Sequence, residues 1–158
     1  IGYWEDPEKT METKSLDGWL RSGDVATMDE SGYVKIVGRI KDMIIRGGEN
    51  VYPKEIEDFL LSQDSNIENV QCFGVPDDKF GEEICVWIKR KDATKDLPKM
   101  KIKEYCHKKI AHYKMPKYVV CVDEMPMTVT GKPQKFKMRD IMAHELKNPA
   151  KFQEYMIR

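Results

Sequence analysis

Apolar and polar residues alternate with two different periods along the first sixty positions of the chain. Residues 18–28 and 33–40 alternate at every second position on either side of the turn sequence DESG, which is typical of two half-buried antiparallel strands. Pro53 then suits the first position of a helix. The apolar residues that follow it have the spacing of one helical face: Ile56, Phe59 and Leu60. The pattern therefore predicts a β-hairpin followed by a helix of about three turns.

The rest of the chain continues to mix strands and helices. Residues 67–75 and 84–90 have strand composition and are separated by PDDKFGEE, which is rich in turn-forming residues. Helical spacing returns at 97–113, strand composition at 117–125, and helical spacing again at 138–146. After the hairpin the predicted order is β-α-β-β-α-β-α. This order predicts an α+β fold in which a small mixed sheet packs with helices.

One domain boundary is predicted near Lys41, where the hairpin gives way to the mixed segment. The length of 158 residues suits one ordinary domain, or one small domain with a piece of another. We interpret residues 1–41 as the truncated end of a larger upstream domain, and residues 42–147 as a separate small domain. The tail, residues 148–158, is helical in composition after a proline, and we assign no structure to it.

Charge and composition exclude two classes of partner. The 27 basic and 27 acidic residues cancel, which argues against duplex nucleic acid held by bulk electrostatics. No apolar run is longer than five residues, so no membrane span is predicted. The absence of N-x-S/T sequons agrees with an intracellular, reducing location. No metal site is predicted. The cysteines are interpreted as core thiols and the histidines as surface residues: Cys72, Cys85, Cys106 and Cys121, and His107, His112 and His144.

The segment TVTGKPQKFKMR, residues 128–139, contains Lys132 directly after a glycine, in a loop between a strand and a helix. A lysine on such a loop suits the delivery of a positive charge to an anionic transition state. The segment is not a phosphate-binding loop of the Walker type, because the required upstream glycine and the Ser or Thr after the lysine are both missing. The alternative is a solvated loop, followed by basic residues on a solvated helix face: Lys135, Lys137 and Arg139.

Further positions each carry a structural and a functional interpretation. Asp24 lies in the turn sequence SGD, where a carboxylate either accepts hydrogen bonds from two ribose hydroxyls or bonds to the backbone of its own turn. Arg39 ends a strand and is either a ribose or phosphate contact or a charge on an edge strand. Gly47 and Gly48 suit a turn at positive φ, but their lack of side chains also lets a thin ligand pass beside the backbone.

Taken in order, four segments resemble the C-terminal third of the adenylate-forming enzymes, the superfamily of acyl-CoA synthetases, aryl-CoA ligases, luciferases and peptide-synthetase adenylation domains. The segments are GWLRSGD, DESGYVKIVGRIKDMIIRGGENVYPKEIE, VPDDKFGEEICVWI and PMTVTGKPQKFKMR, and the resemblance runs from about Gly2 to Leu146. Within the superfamily, IIRGGENVYPKEIEDFL, FGEEICVWI and KIAHYKMPKYVV are most similar to the mitochondrial medium-chain fatty acyl-CoA ligase family. The resemblance implies a ligase that converts a carboxylate and ATP to acyl-AMP and then transfers the acyl group to CoA.

The resemblance implies roles for three residues in the chemistry of ATP. Asp24 matches the aspartate that binds the ATP ribose, and Arg39 matches the arginine that contacts the ribose from the last strand of the N-terminal domain. Lys132 matches the catalytic lysine that bridges the fatty carboxylate and the phosphate during adenylation. Mg²⁺ is expected with ATP, but its ligands are not expected in this chain.

The resemblance also implies how CoA reaches the same site. Lys41 matches the hinge about which the small C-terminal domain swings between the two half-reactions. Gly48 matches the glycine beside which the pantetheine arm of CoA reaches the acyl-adenylate, and Gly47 adjoins it. Residues 42–147 would then be the mobile C-terminal domain, and residues 1–41 the hairpin remnant of the N-terminal domain with the hinge at its end.

The sequence departs from the family pattern at Pro133, where most relatives carry an aliphatic residue. Proline removes a backbone N–H and biases Lys132 toward extended geometry, so a stiffer loop is expected. The expected partners are a fatty acid, medium-chain by resemblance, and the missing N-terminal domain, without which the chain should be inactive. A mitochondrial location is implied by resemblance alone. The alternatives are a non-catalytic module that binds CoA, adenylate or another protein, and an aryl-CoA ligase or a luciferase-like member of the superfamily.

Overall fold

The computed structural model describes residues 2–157, and the chain divides into two compact units between Lys41 and Asp42. The first unit contains a short helix and a two-stranded hairpin: α1 (Pro7–Thr13), β1 (Asp24–Met28) and β2 (Val34–Arg39). The strands are antiparallel, which confirms the hairpin predicted from the alternation. Asp6 caps α1, because its Oδ1 accepts the amide of Lys9 at 2.9 Å.

The second unit is a five-stranded mixed sheet with helices on both faces. Its strands are β3 (Ile44–Arg46), β4 (Glu49–Val51), β5 (Ile67–Asp77), β6 (Gly81–Arg90) and β7 (Tyr118–Val122). Its helices are α2 (Pro53–Leu61), α3 (Lys99–Cys106), α4 (Lys135–Glu145) and α5 (Pro149–Tyr155). In the sheet β4, β3, β6 and β5 are successive antiparallel neighbours, and β7 runs parallel to β6. The α+β architecture predicted from the sequence is confirmed.

The two long strands, β5 and β6, are buried on both faces. One face packs against α2 and α3 and carries Val70, Cys72, Ile84, Val86 and Ile88. The other face packs against α4 and α5 and carries Phe73, Val75, Cys85 and Trp87. A strand buried on both faces has a nearly continuous apolar sequence rather than an alternating one. This explains the apolar runs VQCFGV and ICVWI, which show no clear alternation.

The third helix is shorter than its sequence pattern predicts. Helical spacing extends to residue 113, but α3 ends at Cys106. The backbone leaves the helix at His107, where ψ is 124°, and Lys108 then adopts a left-handed φ of +59°. Ile110 nevertheless packs against the core from outside the helix, so the apolar spacing reflects burial rather than helix.

The tail, to which the sequence assigned no structure, forms α5. Asn148 caps this helix, because its Oδ1 accepts the amide of Ala150 at 3.0 Å. Phe152 and Tyr155 then pack against the core cluster on the α4 side of the sheet. The tail is thus part of the second unit.

Cysteine burial agrees with the interpretation from sequence. Cys72, Cys85 and Cys106 are buried, and Cys121 is half-buried against the core. Burial raises the pKa of all four thiols, to about 11 at Cys106. The three histidines are exposed.

Within residues 2–157, no helix is both long and apolar enough to cross a membrane.

Candidate functional site

Gly47 and Gly48, here named the glycine turn, join β3 to β4. Their φ angles are +58° and +89°, in the region that L-residues with side chains disfavour. The amide of Gly47 donates a hydrogen bond to the carbonyl oxygen of Phe80 at 2.9 Å. A Cβ added at Gly47 would lie 3.0 Å from the Phe80 ring, whereas one added at Gly48 would meet no atom within 4 Å. Phe80 therefore closes one side of the turn, and the side at Gly48 is open.

Arg46, the residue before the glycine turn, is fixed by a buried carboxylate. Its Nε and Nη2 donate to Oε2 and Oε1 of Glu83 at 2.7 and 2.8 Å, and the Glu83 side chain is only 2% exposed. The guanidinium also lies 4.4 Å from the centre of the Phe80 ring. The hydrogen bonds to Glu83 raise the pKa of Arg46 above its ordinary value. A bidentate pair of this kind holds the end of β3 in one orientation.

A second ion pair adjoins the first. Lys117 Nζ lies 2.6 Å from Oδ2 of Asp77 and 3.9 Å from Oε1 of Glu83. Burial works against ionisation of Asp77, but hydrogen bonds from Lys117 and from the amides of Phe80 and Lys79 hold its pKa below the ordinary value. We call Arg46, Asp77, Glu83 and Lys117 the charged cluster. Sequence reasoning did not identify it, although a glutamate directly before the apolar run ICVWI is a signal that a buried charge needs a partner.

The segment 126–134, here named the lysine loop, is bonded mainly to itself. The Thr128 amide donates to the Lys132 carbonyl oxygen at 2.8 Å, and the Lys132 amide donates to Oγ1 of Thr128 at 3.0 Å. The Gly131 amide donates to the Thr128 carbonyl oxygen at 2.9 Å. At the base of the loop, the Gln134 amide donates to the Pro126 carbonyl oxygen at 2.9 Å. The backbone of the loop is therefore ordered without use of the Lys132 side chain.

Lys132 is exposed, and its ammonium has no hydrogen-bond or ion-pair partner within residues 2–157. Pro133, which follows it, is half-buried and forms an isolated β-bridge with Met127 across the loop. An ordered loop that presents an unpartnered ammonium is chemically suited to meeting an anion.

Two of the basic residues after the loop are paired rather than freely solvated. Lys135 forms an ion pair with Glu57 of α2 at 2.6 Å. Arg139 forms an ion pair with Glu82, whose other oxygen accepts the amide of Ile45 in β3 at 2.8 Å. The alternative of a solvated helix face is therefore wrong for Lys135. Glu82 also links α4, which follows the lysine loop, to the strand that leads into the glycine turn.

In the first unit, Asp24 and Arg39 are paired residues of the hairpin. They face each other in the register of β1 and β2, and Arg39 Nε lies 3.1 Å from Oδ1 of Asp24. The carboxylate of Asp24 thus contacts Arg39 instead of the backbone of its own turn. Lys41 is exposed in a short 3₁₀ turn, Ile40–Asp42, at the division between the two units.

Comparison with known proteins identifies the second unit. Residues 55–132 match the family described as the AMP-binding enzyme C-terminal domain. The mitochondrial medium-chain acyl-CoA ligase ACSF2 of Homo sapiens is 51% identical over 146 residues, which are 92% of this chain and 23% of that protein.

Two solved structures share the fold over most of the chain. ATP-bound MatB from Rhodopseudomonas palustris is 37% identical with a TM-score of 0.82, over 90% of this chain and 28% of MatB. The o-succinylbenzoate CoA synthetase MenE from Bacillus subtilis, in complex with the acyl-adenylate intermediate OSB-AMP, is 27% identical with a TM-score of 0.79, over 88% of this chain and 28% of MenE. The chain spans about a quarter of the length of the proteins it matches.

Proposed function

Because the chain belongs to the adenylate-forming enzymes and carries their AMP-binding C-terminal domain, we propose that it is the C-terminal part of an ATP-dependent fatty acyl-CoA ligase. In the first half-reaction a carboxylate oxygen attacks the α-phosphorus of ATP, and pyrophosphate leaves. In the second, the thiol of CoA loses its proton and attacks the acyl carbon, and AMP leaves. The name of the human relative supports a medium-chain fatty acid as the substrate and a mitochondrial location.

The unpartnered ammonium of Lys132 is the observation that carries this proposal. Attack of a carboxylate on a phosphate brings two anions together, and a lysine between them offsets their repulsion. Lys132 is available for this role because the lysine loop is held by its own backbone and Thr128. A buried or ion-paired lysine would first have to break its own contacts.

The open side of the glycine turn supports the proposal for CoA. A thin pantetheine arm fits beside Gly48, where an added Cβ would meet no atom within 4 Å. The thiol and the Lys132 ammonium cannot occupy the same position beside the acyl group. We therefore propose that rotation about Lys41 exchanges the two segments between half-reactions.

The hairpin supports a contact with the ribose of ATP. Arg39 holds Oδ1 of Asp24 at 3.1 Å, which orients the carboxylate so that Oδ2 can accept from a ribose hydroxyl. Mg²⁺ would enter with ATP, and we assign no ligand for it in this chain.

The proposal is tested with the full-length protein, ATP, CoA and a series of straight-chain fatty acids from short to long, together with aryl acids. We expect release of AMP and formation of acyl-CoA, both measured by mass spectrometry, with a maximum at medium chain length. The 158-residue chain alone should form neither product. Failure of the full-length protein to form acyl-AMP from any acid would instead support a non-catalytic binding module, and a preference for aryl acids would support an aryl-CoA ligase.

A further inference from the structure

Lys135 is the first residue of α4 and lies three residues after Lys132. Its Nζ lies 2.6 Å from Oε1 of Glu57, and the two side chains are 22% and 10% exposed. The same carboxylate oxygen accepts the amide of Cys72 at 2.8 Å. Glu57 is therefore held by the backbone of β5 and provides a fixed anchor for Lys135.

The first turn of α4 lacks the groups that usually stabilise a helix N-terminus. No acidic residue lies in its first turn, and Gln134 provides no side-chain cap. A lysine at a helix N-terminus faces the positive end of the helix dipole. The carboxylate of Glu57 offsets this unfavourable charge, and it does so in a site largely shielded from water.

The anchor sets the direction of the lysine loop because the chain between them is short and constrained. Pro133 fixes its own φ, and the Gln134 amide is bonded to the Pro126 carbonyl oxygen at 2.9 Å. The hydrogen bonds within the loop join residues 126–128 to residues 131–134. They order the loop but do not set its orientation relative to the sheet. A displacement of Lys135 is then transmitted through two residues to Lys132.

We propose that Lys135 and Glu57 are positioning residues for Lys132: their ion pair orients the lysine loop for adenylation. The structural part concerns the loop alone, and the catalytic part rests on the function proposed above. Lys135 contacts neither substrate nor reacting atoms in this role. Its loss should therefore lower the rate of adenylation without abolishing it.

The catalytic part is tested in the full-length protein with Lys135→Met. We expect kcat for acyl-AMP formation to fall about tenfold or more, because misplacement by about 1 Å has effects of this size. KM for ATP and thioester formation from supplied acyl-adenylate should change less than about twofold. Lys135→Arg should retain most of the activity. Lys137→Met, which removes the same charge from an exposed position two residues later, is the matched control and should have little effect.

Glu57→Gln provides the second test, since the amide oxygen of glutamine can still accept the Cys72 amide but carries no charge for an ion pair with Lys135. If the ion pair orients the lysine loop, the double variant Glu57→Gln/Lys135→Met should lose little more adenylation activity than either single variant. Additive losses, or equal losses in both half-reactions, would overturn the proposal.

The structural part is tested without catalysis by hydrogen exchange of the 158-residue chain. In Lys135→Met the amides beside the anchor should exchange several-fold faster: that of Gln134, bonded to Pro126 at the base of the loop, and that of Met138 in the first turn of α4. Those of β5 and β6 should stay protected. Lys137→Met should leave the loop unchanged. Unchanged loop exchange in Lys135→Met would overturn the anchoring role even if the ligase function holds. Faster exchange in a full-length protein that forms no acyl-AMP would leave anchoring intact and reject the ligase function instead.

Discussion

The glycine turn and the lysine loop each contain a glycine at positive φ, but different contacts hold them in place. Gly48 and Gly131 have φ of +89° and +76°, and a Cβ at either would meet no atom within 4 Å. Beneath the glycine turn lies the charged cluster, whose Glu83 is almost fully buried. The lysine loop is bonded within itself and is exposed at its tip.

We propose that this difference corresponds to two chemical tasks. A backbone segment beside which a flexible ligand passes must keep its shape. A buried bidentate ion pair such as Arg46–Glu83 holds that segment in one orientation. A charge that acts in one half-reaction and withdraws in the next must be unpaired and near the surface.

The largest effect is expected for Lys132→Ala in the full-length protein. Acyl-AMP formation should fall by about 10²- to 10³-fold, the range found when one preorganised donor to a developing charge is removed. Thioester formation from supplied acyl-adenylate should stay nearly intact. Single-turnover measurements of each half-reaction check this. If both fell equally, Lys132 would be structural, and the lysine loop would not differ from the glycine turn.

Arg46→Met should give the largest loss of stability. Methionine leaves Glu83 buried and without its bidentate partner, and breaking a buried pair in this way costs about 3 kcal/mol of unfolding free energy. Denaturant unfolding of the 158-residue chain measures it. Arg46→Met/Glu83→Met should recover part of the loss, because the orphaned charge is removed. A change below about 1 kcal/mol would mean that the glycine turn is no more firmly supported than the lysine loop.

Matched substitutions at Gly48 and Gly131 separate the two tasks. Valine at either position pays a similar backbone cost, about 1–2 kcal/mol for a left-handed residue. We expect Gly48→Val to slow thioester formation about tenfold or more by blocking the open side of the turn, and Gly131→Val to slow adenylation instead. The two half-reactions of each variant are compared with wild type. Thioester formation that survives Gly48→Val unchanged would contradict the assignment of the CoA path.

Acid should weaken the support of the glycine turn through Asp77. Since the pKa of Asp77 is lowered in the folded state, its ionised form stabilises the fold above the ordinary Asp pKa of about 4. That contribution is lost as the pH falls through the lower folded-state pKa. Asp77→Asn should therefore be less stable than wild type at neutral pH, with a difference that shrinks in acid. The neighbouring exposed Asp78→Asn is the control, and a constant difference from pH 7 to pH 2 would contradict the role of this ion pair.

Most of the strands and helices were predictable because their signals are local, although neither α1 nor α5 was assigned from the sequence. Pro53 and the spacing of Ile56 and Leu60 specify α2 without reference to the rest of the chain. The end of α3 was not predictable in this way, because Ile110 keeps helical spacing while it packs from outside the helix. Apolar spacing reports burial, and only the backbone at His107 and Lys108 decides where the helix ends.

The contacts that hold the glycine turn and the lysine loop in place were not predictable, because they join residues that are far apart in the sequence. Arg46 and Glu83 are 37 positions apart, and Lys135 and Glu57 are 78 positions apart. No periodicity connects such residues. The glycines and Lys132 were found because a turn and a Gly-Lys loop are local motifs, but the roles of these residues stay predictions until the half-reactions are measured.

The smallest effect is expected for Thr128→Val, which removes the acceptor for the Lys132 amide at 3.0 Å. This bond is exposed, and a typical hydrogen bond contributes about 0.5–1.5 kcal/mol net, so the unfolding free energy should fall by less than about 1 kcal/mol. Adenylation should slow only a few-fold, because the amide of Thr128 still bonds to the Lys132 carbonyl oxygen at 2.8 Å. Thr130→Val is the control, because it removes the hydroxyl that contacts Thr128 Oγ1 but leaves the acceptor for the Lys132 amide in place. A loss of stability as large as that of Arg46→Met would show that the lysine loop is as firmly built into the fold as the glycine turn.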